Sequence, residues 1–311
     1  MATRTIIDGT VPFREHQTWY RITGDLTSGK IPLVTLHGGP GCTHDYLLRL
    51  TGLAEGGRPV VHYDQIGNGR STHLRDAPPG FWTVELFLDE LDNLLTSLNI
   101  ADRYTVLGHS WGGMLAAEHA VRRPSGLRGL VIADSPASMT LWSAAADRLR
   151  AELPPDVEAT LRRHEAAGTT DSAEYEQAVA VFYERHVLRV PRPPEVTAMF
   201  EALAADPTVY HTMNGPSEFY VIGSLRGWSI VDRVGAIAVP TLLVNGRYDE
   251  ATRETVQPFY EGIPDVRWEV FDRSSHMPHV EETERFTEVV GAFLATVDAT
   301  VGGTVVGQEG T

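Results

Sequence analysis

From residue 31 onward, short apolar runs alternate along the chain with segments of helical period. The runs at 31–38 (IPLVTLHG), 58–67 (RPVVHYDQIG), 103–110 (RYTVLGHS) and 127–135 (LRGLVIADS) are rich in Val, Leu and Ile and bounded by Gly, Pro or Asp, which predicts buried strands. Between them, 83–100 (TVELFLDELDNLLTSLNI) carries apolar residues at helical spacing, with Thr83 as the cap and Glu85 in the first turn. A second helix is predicted over 111–124, closing on Arg122, Arg123 and Pro124. Strand and helix in this rhythm predict a mostly parallel central sheet with helices on both faces, an α/β fold.

The rhythm stops near residue 136 and resumes at about 238. In between, LWSAAADRLRAEL, DVEATLRRHEAAG, SAEYEQAVAVFYERHVL and PPEVTAMFEALAADP have helical period and no strand pattern among them. The expectation is a core built from 1–135 and 236–297 with an all-helical cap, 136–235, inserted over the carboxyl edge of the sheet, where open α/β sheets bind ligands. After the insertion come a strand at 239–249, a helix near 252–262, a strand at 266–275 and an amphipathic helix at 281–297. The remainder, 298–311, has too little apolar content to pack and is expected to be disordered. No internal repeat is present in the sequence.

Composition narrows the function classes. Hydrophobic residues are 42% and charged residues 22%, ordinary values for a globular protein, and no apolar run reaches the length of a membrane span. The N-terminal residues have no apolar signal core, so a cytoplasmic location is expected. With 41 acidic against 26 basic residues the net charge is −15, and no cluster of Lys and Arg offers a face for a polyanion, which argues against nucleic acid as partner. The single cysteine, Cys42, makes no internal disulfide and excludes multi-cysteine metal sites. No HExxH is present and GGPGC is neither a Walker loop nor GxGxxG, so neither a metal nor a cofactor is expected.

The chemistry concentrates in RYTVLGHSWGG, where Ser110 occupies a GxSxG placed between a predicted strand and a predicted helix. That setting suits a nucleophile elbow, although a Gly-rich helix entry with a capping serine has the same letters. A serine hydroxyl needs a base, and the base a carboxylate that fixes its tautomer; in this architecture they follow in the order Ser, acid, His, each after a strand. Asp249 ends the run LLVNGRYD and His276 lies in the loop after WEVFD, so both fit; Asp134, Asp272 and His279 are rivals. An oxyanion needs preorganised N–H donors. Trp111, which follows the serine, supplies one, and Gly38 or Gly39 in HGGPG supplies the other, with Gly39 favoured.

HGGPG at 37–41, YDQIGNGRS at 63–71, GHSWGG at 108–113, MNGPSEF at 213–219 and NGRYDE at 245–250 together resemble the proline iminopeptidase family of α/β-hydrolases, which also includes L-amino acid amidases. The resemblance runs in order from about residue 30 to 296. It implies the α/β-hydrolase fold, a Ser110, Asp249, His276 triad, and oxyanion donors at Gly39 and Trp111. It further implies that Glu218 and Glu250, with Gly38 nearby, bind a substrate carrying a free α-amino group. Read from the residues alone, Glu218 also fits the first turn of a helix begun by Pro216. Trp142, Phe182, Tyr183, Phe219 and Trp228 are the aromatic residues available to a substrate pocket or to the core.

The expected activity is hydrolysis that frees an N-terminal amino acid, proline or another apolar L-residue, from a small peptide or amino acid amide, through an acyl-enzyme and without a cofactor. An esterase or lactonase of the same fold acting on uncharged esters is the alternative. A ligand-binding relative without catalysis is a third possibility, disfavoured by the ordered triad.

Overall fold

The computed structural model describes residues 5–302. Eight strands, β1 (Ile6–Phe13), β2 (His16–Thr23), β3 (Leu33–Leu36), β4 (Val60–Tyr63), β5 (Tyr104–His109), β6 (Leu127–Ala133), β7 (Thr241–Gly246) and β8 (Val266–Phe271), form one sheet in the order β1-β2-β4-β3-β5-β6-β7-β8. β1 pairs antiparallel with β2 and β2 with β4; every other pairing is parallel. All residues of β3, β4, β5 and β7 are buried, which explains why they read as unbroken apolar runs. The β1–β2 hairpin escaped the sequence reading because the first half of β1 is exposed and carries neither a run nor a clean alternation.

Helices α1 (Val84–Ser97) and α2 (Trp111–Val121) cover one face of the sheet, and Leu86, Phe87, Leu91, Met114 and Leu115 pack there against Val34, Leu36 and Val106. The Thr83 side chain accepts from Leu86 N–H, so the expected cap is formed. On the other face, the short helical segment Asp45–Ala54 and the last helix bury Leu47, Leu50, Phe286 and Val290 against Leu33, Leu107 and Val131. Side chains thus fill both sides, and the parallel strands bring their carboxyl ends to a common edge.

Between β6 and β7 the chain forms α3 (Met139–Ala151), α4 (Pro155–Ala167), α5 (Ala173–His186), α6 (Pro194–Ala205) and α7 (Thr208–Met213). Local chemistry sets their limits. Ser138 and Ser172 accept N–H groups at the starts of α3 and α5, Pro155 and Pro194 open α4 and α6, and Gly168 ends α4 in the left-handed region. Leu161, Tyr175, Ala178, Phe182 and Phe219 make a small apolar cluster of their own. The helix entry considered for MNGPSEF does not form: Ser217 and Tyr220 face each other in an isolated antiparallel bridge, and Glu218 lies in the turn between them.

After β7 come α8 (Arg253–Gly262), α9 (Pro278–Glu281) and α10 (Thr283–Gly302). α10 continues past the point where disorder was expected at 298, and Asp298 pairs with the buried Arg58 at 2.7 Å. The rest of that expected tail, 303–311, lies outside the described residues.

Candidate active site

Five strand ends supply the site, and the sharpest of them is β5. Ser110 takes φ 57° and ψ −124°, a conformation a β-carbon disfavours, and the turn closes only because its neighbours lack side chains. A Cβ on Gly108 would stand 2.0 Å from the Gly112 carbonyl oxygen, and one on Gly112 2.1 Å from that of Leu36. Although Ser110 stands at the N-terminus of α2, its hydroxyl caps no helix N–H. The helix-capping alternative therefore fails, and the hydroxyl is left at the wall of a cavity shared with His276.

His276 and Asp249 meet from the loops after β8 and β7. His276 Nδ1 donates to Asp249 Oδ1 at 2.7 Å, and Ala251 N–H donates to the same oxygen at 2.8 Å. The histidine loop is clamped by Ser275 N–H on Glu281 Oε2 (2.6 Å) and by Ser274 Oγ on Glu282 Oε2 (2.7 Å). Burial pulls the His276 pKa down, but the charge and hydrogen bond of Asp249, with more distant Glu218 and Glu281, outweigh it and leave it above the ordinary value. The serine hydroxyl and the imidazole make no hydrogen bond to each other among the described contacts, a separation common before substrate closes the geometry.

The rivals separate on position. Asp272 is on the surface, paired with Arg247 at 2.9 Å. His279 is buried in α9 and packs against Tyr46 and His109, with no carboxylate paired to it among the described residues. Asp134 is buried at the end of β6, close to Asp249 rather than to His276.

In HGGPG, Gly38 and Gly39 divide the work. Gly38 donates its N–H to the Tyr46 hydroxyl at 2.8 Å, and a Cβ there would come within 3.0 Å of Ser110 Cβ. Gly39, at φ 110°, lines both the main cavity and a recess beside Ser110 and Trp111. Sequence reasoning did not find Tyr46. Its hydroxyl also bonds His109 Nδ1 (2.8 Å), whose Nε2 donates to the His276 carbonyl (2.6 Å), so one chain of hydrogen bonds ties the glycine loop, the elbow and the histidine loop together. Only the fold could reveal that 8-residue and 63-residue separations converge on one phenol.

Two glutamates complete the site. Glu218 is half-buried in the cavity wall, and its Oε1 accepts from Tyr210 Oη at 2.9 Å. Glu250 is 2% exposed, has no hydrogen-bond partner on either carboxylate oxygen among the described residues, and its Oε1 lies 3.8 Å from His276 Nε2. Burial raises both carboxyl pKa values, Glu250 further by the charges of Glu218 and Asp249, while His276 and the Tyr210 hydroxyl partly offset the rise at Glu218. An organic cation placed between them would be stabilised strongly in so dry a setting.

The main cavity measures about 550 Å³ and runs from Ser110 and His276 between α5 and α6, where Val179, Ala180, Val187, Met199, Phe200 and Leu203 line it. The recess by Trp111 is much smaller, about 10 Å³, and is bounded by Met114, Met139, Trp142, Leu225 and Glu218. Of the five aromatic residues named from sequence, Tyr183 borders the large cavity and Trp142 the recess, where its indole N–H holds the Glu218 carbonyl at 2.7 Å. Phe182 and Phe219 pack on each other, and Trp228 bonds Glu118 at 2.9 Å. Cys42 lines the cavity, where burial, with the charge of Glu218, pushes its thiol pKa up.

A family model for the alpha/beta hydrolase fold matches residues 31–283. The proline iminopeptidase of Heyndrickxia coagulans is 37% identical over 273 residues, 88% of this chain and 93% of that protein. Among solved structures, VinJ superposes with TM-score 0.92 at 59% identity, covering 94% of this chain and 99% of its own. The proline iminopeptidase of Mycobacterium smegmatis superposes with TM-score 0.88 at 51% identity, covering 95% and 100%. No helix of the described residues is long and apolar enough to cross a membrane. The motifs, the sheet order and these likenesses agree: the chain belongs to the proline iminopeptidase family of α/β-hydrolases.

Proposed function

We propose that this protein is a serine aminopeptidase or amidase that removes a small apolar N-terminal residue from a peptide or amide with a free α-amino group. Ser110 attacks the carbonyl while His276 takes its proton and passes it to the leaving amine, Asp249 holding the imidazole in the required tautomer. The N–H groups of Gly39 and Trp111 receive the oxyanion. Water then hydrolyses the ester by the same route. The observation that carries the reading is the pair Glu218 and Glu250: Glu218 lines the cavity with Ser110, and Glu250, buried beside His276, has no hydrogen-bond partner on its carboxylate among the described residues. Binding an ammonium ionises both and fixes the acyl end of the substrate.

Space then orders the substrate. The recess beside Trp111 holds about one water-sized group, the size of a methyl, so alanine should be processed ahead of phenylalanine or leucine. The leaving amine faces the long cavity, whose α5 and α6 walls are apolar, so amides with an extended apolar amine should outperform primary amides.

Alanyl and prolyl anilides assayed beside their N-acetyl counterparts test the reading. The free amines should be hydrolysed and the acetylated forms left intact. Equal rates on both would remove ammonium recognition and return the protein to the class of general esterases.

A further inference from the structure

β6 and β7 end side by side, and the loops that follow them place two carboxyl groups together, Asp134 directly after β6 and Asp249 three residues after β7. Asp249 uses Oδ1 for His276 and Ala251, while its Oδ2 is buried with no hydrogen-bond partner among the described residues. Asp134 is fully buried; its Oδ1 accepts Gly246 N–H at 3.2 Å, and its Oδ2 likewise has no hydrogen-bond partner among the described residues. Each carboxyl group thus has one satisfied and one unsatisfied oxygen, and the two groups lie within hydrogen-bonding reach of each other. Two adjacent anions in a dry site repel strongly, and two unsatisfied acceptors cost more still. A single shared proton removes both problems.

We propose that Asp134 is a positioning residue of this hydrolytic site: its carboxyl group stays protonated and donates to Asp249 Oδ2, holding Asp249 as the only anion of the pair with Oδ1 aimed at His276. The backbone is shaped for this. Asp134 adopts φ 53°, a region that Asp and Asn reach more readily than other side chains, and its own N–H is tied to the Val244 carbonyl at 2.7 Å. Asp134 faces Asp249 from the β7 loop and His109 Nε2 from β5 at 3.7 Å, with Glu281 of α9 more distant and His276 reached through Asp249. His109 offers no competing cation, since its Nε2 already donates to the His276 carbonyl and burial holds its pKa well below the ordinary value. Burial first, then the charge of Asp249, pushes the Asp134 pKa well up.

The inference rests on the Ser110, His276, Asp249 reading, which Ser110→Ala tests separately: full activity in that variant would fail the reading itself. Asp134→Asn replaces the O–H donor by an N–H donor and tolerates the same backbone angle; Asp134→Gly keeps the backbone and removes the donor. With an alanyl anilide from pH 5 to 9, Asp134→Asn should keep kcat within about threefold and leave the acidic limb unmoved, since no charge is lost. Asp134→Gly should lose about 10- to 100-fold in kcat with little change in KM. An acidic limb displaced downward by about half a pH unit or more in Asp134→Asn would overturn the proposal, because it would mean that the native residue is charged and raises His276. A native kcat in Asp134→Gly, or an Asn variant as slow as the Gly variant, would overturn it as well. Should the Gly variant not fold, the Asn limb decides alone.

Discussion

Ser110 differs from a helix-capping serine in its strained backbone and in a hydroxyl that no helix N–H uses. Its base is poised by its surroundings. Because His276 is held above its ordinary pKa and must be neutral to accept the proton, kcat/KM should fall on the acid side with a midpoint above about 6.5. Asp249→Asn removes the charge that raises it, so that midpoint should move down while kcat falls by about 10⁴; a pH–rate profile of both enzymes checks the direction and the size. On the proposed recognition of a free α-amino group, the alkaline limb should follow the substrate, whose α-ammonium is lost above about pH 8. At this scale the grouping was legible: residue type, order and position after apolar runs single out Ser110, Asp249 and His276, and the fold pairs His276 with Asp249 and puts Ser110 on the same cavity as His276. Tyr46 and the pairing of Asp134 with Asp249 do not, because a phenol or an aspartate carries no mark of its partner until strands far apart in sequence are brought side by side.

The elements explain why those residues meet. The parallel strands put the ends of β3, β5, β6, β7 and β8 on one edge, and each loop there delivers at least one residue to the site. The tightest junction is β5 to α2, where Gly108 and Gly112 let backbone pass backbone. Gly108→Ala should therefore destabilise the fold by about 3 kcal/mol and lower the soluble yield, read by chemical denaturation; a stability within error of the native chain would mean that the junction is looser than the distances suggest. The six central strands were readable as short apolar runs bounded by Gly, Pro or Asp, and the main helices by their caps and helical spacing. The N-terminal hairpin was not, since an exposed edge strand needs no apolar face, nor was the extension of α10, which Arg58 and Asp298 secure by a contact between distant segments.

For the whole molecule, the site exacts a pH-dependent toll in stability. Glu218 and Glu250 have folded pKa values raised above about 4.5. Carboxyl groups of this kind impose no penalty below the unfolded value and a growing one as pH rises from there toward the folded value, because the unfolded chain ionises first. Glu250→Gln should thus melt higher than the native protein at pH 8, by roughly 2–4 °C for each kcal/mol relieved, and the two should converge near pH 4. Calorimetry at both pH values reads it, and a variant no more stable at pH 8 would show that Glu250 is ionised without strain. The same variant should lose its preference for free amines, so stability and substrate recognition trade against each other at one side chain.

The account depends on one activated alcohol. Treating the native protein, Ser110→Ala and His276→Gln with a fluorophosphonate and mapping the adduct by peptide mass spectrometry tests it directly. The predicted result is a single phosphonylated residue, Ser110, formed rapidly in the native protein, slowly in His276→Gln and not at all in Ser110→Ala. An adduct on another residue, or labelling of Ser110 that does not depend on His276, would contradict it.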